Sequence, residues 1–427
     1  MKGVRTTVVL GSALGLVFFG SAITPAGAAT RVRCGATITA TTKLAADVGP
    51  CPGDGVVVTA NNITLDLNGH RVFGNAAPEA QGDFAGIRLQ KTSRVVVKGG
   101  TVDHFAAGVV VQRGSSNTVQ NLVVHDNIAP CEGEVNTQSP GLLGDGIVVF
   151  SSVGNQIQNN RAEHNGPFSG ISLVAETNRT TGQIAGPVPK ANLVRNNTVK
   201  DSTTCFGDMG IRVEGPGATQ NVVQSNTVSG SLNEGIAVLS VLARDISGFG
   251  VTCSDPIADP SLPLCPAFVP PNPANTDNQI LDNFSFENGQ GPPVSGISLI
   301  AFPWANNPSG NLIKGNRAER NGGSGISVIG GDVVPSNLYG ANNNTIVANT
   351  AVNNDTSGAP DRYDLIDDNT DRPCDHNQWA ANVYETAFPA CTTMGGTQVS
   401  TPGQAAPTAS TAKATSTQPT TRAATRR

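Results

Sequence analysis

The chain has 427 residues, of which 38% are hydrophobic, 14% charged and 4% aromatic, with 49 Gly and 28 Pro. Charge and aromatics this sparse, beside so much Gly, exclude a helical bundle or coiled coil and favour many short strands joined by turns. The net charge of −5 hides an asymmetry: two bases in residues 1–29 and four in residues 398–427 leave the body with 21 basic and 32 acidic residues, a net of −11. That excludes a nucleic-acid partner, which requires a basic surface, and disfavours a polyanionic glycan unless a cation bridges the two.

At the amino end, Lys2 and Arg5 precede an apolar run from Val8 to Ile23 and the small residues Ala26-Gly27-Ala28-Ala29. This pattern predicts a secretory signal peptide over 1–29 rather than a membrane anchor, and no later segment is apolar enough to be transmembrane. Eight cysteines in an exported chain predict four disulfides. Spacing pairs Cys34 with Cys51, Cys253 with Cys265 and Cys374 with Cys391, which leaves Cys131 with Cys205.

The middle of the chain repeats. One half of the repeat is Gly, a β-branched residue, any residue, then Leu or Val, as in Gly86-Ile87-Arg88-Leu89, Gly170-Ile171-Ser172-Leu173 and Gly325-Ile326-Ser327-Val328. The other half is Asn-x-Ile/Val-x-x-Asn, from Asn155–Asn160 to Asn344–Asn349. The shortest Gly-to-Gly intervals are 22, 24 and 25 residues. Each half reads as a short strand with alternate side chains inward, and Gly and Asn are expected to supply positive φ at the corners. One repeat cannot bury its own apolar face, so successive coils must stack, with Asn able to form a ladder at equivalent corners. The prediction is an all-β solenoid, a parallel β-helix over 61–360. Caps are expected at 30–60 and 361–397, with Trp379 a plug in the second, and a Thr/Ser/Ala/Pro-rich disordered tail at 398–427.

These coils, with the opening Cys34-Gly35-Ala36-Thr37-Ile38, Cys51-Pro52-Gly53 and Leu65-Asp66-Leu67-Asn68-Gly69-His70, resemble the right-handed parallel β-helix of the pectate-lyase-like superfamily. The resemblance covers about residues 34–395 and implies secretion and an extracellular polysaccharide or cell-wall partner. It leaves the activity open, because the superfamily holds lyases, hydrolases, epimerases, adhesins and copper-site maturation proteins. The short catalytic motifs of the polygalacturonases and uronate epimerases are absent.

Two columns of side chains could carry chemistry. The outward position of the Gly-Ile strand reads Arg88, Val110, Val148, Ser172, Arg212, Ala237, Ser298, Ser327, with no carboxylate, so that face is not expected to catalyse. Aligning coils on the Asn corner instead puts His104, His125 and His164 in one column, with Asp103 and Glu163 beside them. Such a set suits a general base oriented by a carboxylate, or a divalent cation, Ca or a transition metal, if the rings converge. Asp145, Asp208 and Glu234, before Gly-Ile strands, are a weaker calcium set or simple turn caps; Asp367-Asp368 is expected to end a strand. Insertions cluster at two corners, 174–191, 239–277, 300–310 and 329–343 after the Gly-Ile strand and 127–145 and 201–209 before the next one; loops at one corner form a wall, on which Phe302, Trp304 and Tyr339 are candidate sugar contacts. Three functions remain: a polysaccharide lyase or hydrolase, a non-catalytic structural or adhesive surface protein, and a metal-delivery protein.

Overall fold

A computed structural model describes residues 28–75, 84–129, 144–176, 184–202, 209–239, 273–289, 294–301, 308–330, 340–358, 362–369, 374 and 376–400. Among them the chain is almost wholly strand and turn, wound as a parallel β-helix. One sheet takes one strand per coil, twelve in all, from Ala36–Ile38 through Ala85–Gln90, Asp145–Phe150 and Met209–Glu214 to Leu365–Asn369 and Ala387–Phe388. We call it the Gly-Ile sheet. A second surface takes two strands per coil, such as Gln156–Gln158 and Arg161–Glu163. Every named pairing is parallel and joins a coil to the next, as in Ile147↔Ile171↔Ile211.

The core follows from alternation. Ile87, Val109, Ile147, Ile171, Ile211, Ile236, Ile297, Ile326 and Leu365 stack in one inward column of the Gly-Ile sheet, all fully buried. No coil could hide these groups alone; each methylene so buried is worth about 0.8 kcal/mol, so stability grows with every winding added.

Backbone geometry corrects the expected roles of Gly and Asn. The motif glycines do not have positive φ. At Gly210 a Cβ would lie 2.1 Å from Val228 Cγ1 and 2.5 Å from the carbonyl oxygen of Gly235. Gly is there because two strands and the next coil meet with no room for a side chain. Nor are the ladder asparagines left-handed. The positive φ falls on the residue just before each, such as Asn159, Asn196 and Ser225.

Asn is there for its amide. Asn160, Asn197, Asn226, Asn283, Asn316, Asn349 and Asn382 form a continuous ladder, each side-chain amide donating to the next Oδ1 at 2.9–3.1 Å. A parallel ladder runs from Asn117 through Asn155, Asn192, Asn221, Asn278, Asn311 and Asn344 to Asn377. A third, not foreseen, links Asn288, Asn321 and Asn354 and ends on Asp364. Each rung also satisfies backbone groups at a buried corner, where an unpaired donor would be costly.

The expected caps are themselves coils. Ala36–Ile38 already pairs with Val56–Val58, and the Cys34–Cys51 disulfide, with Cα atoms 5.3 Å apart, closes the first winding. At the other end the Cys374–Cys391 disulfide is formed, and Trp379 lies inward against Ile346 with 2% exposure, as a plug should. Asp367 and Asp368 do not end a strand. They lie within Leu365–Asn369, and Asp367 points inward in register with Val328. Residues 1–27, the tail beyond 400, and Cys131, Cys205, Cys253 and Cys265 lie outside the described residues.

Candidate functional site

The face with usable chemistry is the third strand of each coil together with the corner that follows it. In the strands Arg71–Gly74, Val96–Asp103, Thr118–His125, Arg161–Glu163 and Thr198–Lys200, the last outward column reads Phe73, Asp103, His125, Glu163, Lys200. The left-handed corner residues form the next column: His104, Asp126, His164 and Asp201, all with φ near +50°.

Only two of the three histidines therefore share a column. The expected alignment took Asn121 as the ladder residue of its coil. The ladder position is Leu122, whose backbone N–H donates to Asn160 Oδ1 at 3.0 Å, while Asn121 supplies the left-handed turn before it. That one-residue slip moved His125 into the corner column and left Val124, which is fully buried, in its place.

The corrected register interleaves imidazoles with carboxylates. Asp103, fully buried, accepts from Arg71 Nε at 2.5 Å and from a second Arg71 nitrogen. His104 Nδ1 lies 2.5 Å from Asp103 Oδ1. His125 Nδ1 lies 2.7 Å from Asp126 Oδ2, with its Nε2 4.0 Å from Asp103 Oδ2. His164 reaches Asp126 at 3.9 Å through Nδ1 and Asp201 at 3.5 Å through Nε2. Glu163 stands apart from this run, held by Arg161 Nε at 2.5 Å. The rings are thus spaced out by the carboxylates that hold them. Among the described residues no group of three or more His, Cys, Asp or Glu is placed to hold a metal ion.

His125 is the side chain best placed to react. It is half-exposed, and Asp126 fixes its Nδ1. Its Nε2, too far from Asp103 for a hydrogen bond, is left to accept a proton, the geometry of an oriented general base. The sequence reading named His125, Asp103 and Glu163 but missed Asp126 and Arg71. Arg71 was visible only as the residue three coils before Arg161 in one column, which needs the register to be known.

The Gly-Ile sheet holds more charge than its central outward column suggested. These strands run to six residues, so two further outward columns flank the one read. One contains Asp145, Ser169, Met209 and, next in register, Glu234; the other contains Phe150, Val174, Glu214 and Leu239. Arg212 Nη1 lies 2.7 Å from Glu214 Oε2 and its Nη2 3.6 Å from Asp145 Oδ1, with the Phe168 ring 5.3 Å away. Burial pushes the Glu234 carboxyl up to about 7.

Glu234 finds no carboxylate partner at catalytic range on this face, and Asp145 and Glu214 are joined to each other through Arg212. At ~4.8 Å per coil and ~3.3 Å per residue, the Cα atoms of Glu234 and Glu214 are ~17 Å apart, and those of Glu234 and Asp145 ~14 Å. Paired glycosidase carboxyls lie roughly 5–9.5 Å apart. The surroundings are also apolar and buried: Val110, Val148, Phe150 and Val174 on one side, Ala237, Leu239 and Ile300 on the other. The calcium set dissolves likewise, since Arg212 holds Asp145 and Glu234 lies three coils away; Asp208 is outside the described residues. So are Phe302, Trp304 and Tyr339.

The sequence profile of the family described as the right-handed beta helix region matches residues 54–243. No curated protein sequence matches the chain significantly. Among solved structures, the Dettilon tailspike protein is 15% identical with a TM-score of 0.48, over 81% of this chain and 54% of that one. The A-module of the Azotobacter vinelandii mannuronan C-5 epimerase AlgE4 is 15% identical with a TM-score of 0.32, over 74% and 84%. An alginate lyase from a Paenibacillus species is 12% identical with a TM-score of 0.34, over 86% and 89%. The chain spans about half the length of the tailspike it matches. By its parallel coils, its ladders and the profile that matches residues 54–243, this chain folds as a right-handed parallel β-helix.

Proposed function

We propose that this chain binds an extracellular polysaccharide along the third-strand face and cleaves it by elimination, with His125 as base. The observation that carries this reading is the half-exposed His125 held at Nδ1 by Asp126, in a row of ionisable groups on successive coils. Elimination next to a uronate carboxylate needs a base for the ring proton and a cation to stabilise the charge that develops. Nε2 of His125 takes the proton, the ring C–H and glycosidic C–O bonds break, a ring C=C forms, and the leaving oxygen gains a proton from the protonated imidazole or water. Lys200, two coils along the same column and half-exposed, has no ion pair among the described residues and can face the carboxylate. Arg71 and Asp103 position His104. The amino-terminal segment of 1–29 and the two formed disulfides support a location outside the cytoplasm.

The test is a polysaccharide panel read by ultraviolet absorbance of unsaturated product and by reducing ends, with and without calcium. Unsaturated product that His125→Ala abolishes supports the reading. Reducing ends without unsaturation indicate hydrolysis, and retention on a polymer with neither product indicates a purely adhesive protein; either result overturns the elimination step.

A further inference from the structure

The second strand of each coil, between the Gly-Ile sheet and the histidine run, carries a different charge. Its last outward column reads Lys98, Gln120, Gln158 and Arg195 on four successive coils. The corner leading into it places Lys91 and Arg94 on the first of these coils, either side of Ser93. On the last it places Lys190, in column with Ser93, Ser115 and Val153. Lys91, Arg94 and Lys190 are exposed, and Lys98 and Arg195 half-exposed. Among the described residues, the acid on this strip of the four coils is Glu176, which Arg113 holds at 2.6 Å. Asp66, one coil earlier, lies 3.4 Å from Lys98. On later coils the same strip carries Asp277, Asp282 and Lys314, so the excess of cations is confined to this stretch. In a body of net negative charge, a local positive strip sets which ligands approach there.

The arginines of the strip are held without being neutralised. Arg195 donates through Nε and Nη2 to Gln158 Oε1 at 2.9 and 2.7 Å, and Gln158 donates to Gln120 Oε1 at 2.8 Å. Arg94 Nε donates to Asn62 Oδ1 at 2.5 Å. Neutral amides thus orient both guanidinium groups and leave their charge, with donors to spare for a carboxylate. Elsewhere Arg161, Arg212, Arg317 and Arg320 each meet a carboxylate. Lys91, Arg94, Lys190 and Arg195 form no ion pair among the described residues.

We propose that this strip binds an anionic extracellular polysaccharide lying along the coil axis. Its carboxylates would meet Lys91 and Arg94 at one end and Lys190 and Arg195 at the other, three coil steps or ~14 Å away. Gln120 and Gln158 face its hydroxyls in between. The surface is separate from the histidine run and does not rest on the elimination proposed above.

Binding of the full chain to immobilised polygalacturonate and alginate tests it, with β-glucan as a neutral polymer and duplex DNA as another polyanion. A calcium chelator is present, so that no bridging cation supplies the attraction. At least one acidic polysaccharide should bind at about 20 mM salt and be released at about 0.5 M. Lys91→Gln with Arg94→Gln, and separately Lys190→Gln with Arg195→Gln, should each weaken binding roughly fivefold. Lys314→Gln, in the same column but beyond the strip, should stay within about twofold. The proposal is overturned if neither acidic polymer binds, if β-glucan binds as well or DNA binds better, if salt has no effect, or if both Gln pairs bind as the parent does, which would place the attraction in the basic residues of 398–427. Binding is read whether or not unsaturated product forms, so failure of the strip and failure of the His125 base are distinguished.

Discussion

Trp379 Nε1 donates a hydrogen bond to Asp367 Oδ2 at 2.9 Å inside the last coils, where both side chains are buried. The Asn377 side-chain amide donates to the same oxygen at 3.1 Å. Trp379→Phe keeps an aromatic plug but removes one donor from a buried carboxylate. It should destabilise the protein by about 1–3 kcal/mol in chemical denaturation, with unchanged far-ultraviolet circular dichroism of the fold. No change in midpoint would show that the plug works by volume alone.

Glu234 gives the fold a pH dependence. Burial raises its carboxyl to about 7, so the folded state holds a proton that the unfolded chain releases near the ordinary value of 4.5. The associated stability is fully present below about pH 4.5 and is lost as pH rises through about 7. Glu234→Gln should remove that slope and leave the variant the more stable protein at pH 8, by an amount on the order of 3 kcal/mol. Midpoints measured from pH 4 to 8 decide this; parallel curves for the two proteins would refute it.

The middle ladder should be brittle at any rung. Asn226 Oδ1 accepts from the backbone and side-chain amides of Asn197, and its own amide reaches Val194 and Asn283. Asn226→Ala orphans the buried Asn197 donors on one neighbouring coil and takes a donor away from Val194 O and from Asn283 Oδ1. A loss of roughly 2–4 kcal/mol is expected, against under 1 kcal/mol for the exposed corner residue Ser225→Ala. Equal effects at the two sites would remove the ladder from the account of stability.

Arg71 is a half-exposed partner of a fully buried acid. Arg71→Ala strands the Asp103 charge inside the coil, at a cost we put at about 1–3 kcal/mol after allowing for solvent around the guanidinium. The double variant Arg71→Ala with Asp103→Ala should recover part of that loss. A double-mutant cycle with no coupling would mean the pair is incidental.

For the proposed elimination, His125→Ala should lower turnover by about 10²–10⁴-fold, the usual contribution of a positioned base. Glu163→Gln, whose carboxylate faces Arg161 and not the histidine run, should change it less than about threefold. Comparable losses at both positions would point to general disruption of the face.

The winding of this chain was legible because it repeats. Ile87, Val109 and their successors recur with the Gly before them, and such a pattern has one economical solution, stacked coils sharing a core. What repetition could not convey was register at the coil that breaks it. Leu122 stands where other coils have Asn, so an alignment on letters placed His125 in the wrong column; only the hydrogen bond from Leu122 to Asn160 puts it beside Asp103. Glu214 escaped, and Asp145 and Glu234 read only as turn caps or calcium ligands, for a related reason: they flank the column that was read, and no spacing rule says how many residues a strand keeps before it turns.

By itself, then, the order of residues determined the architecture, the asparagine stacks and the closing disulfides at each end, because these arise from local periodicity multiplied along an axis. Tertiary structure alone decided which ionisable groups meet, because contacts between coils depend on register to a single residue, and a slip of one exchanges a half-exposed histidine for a buried valine.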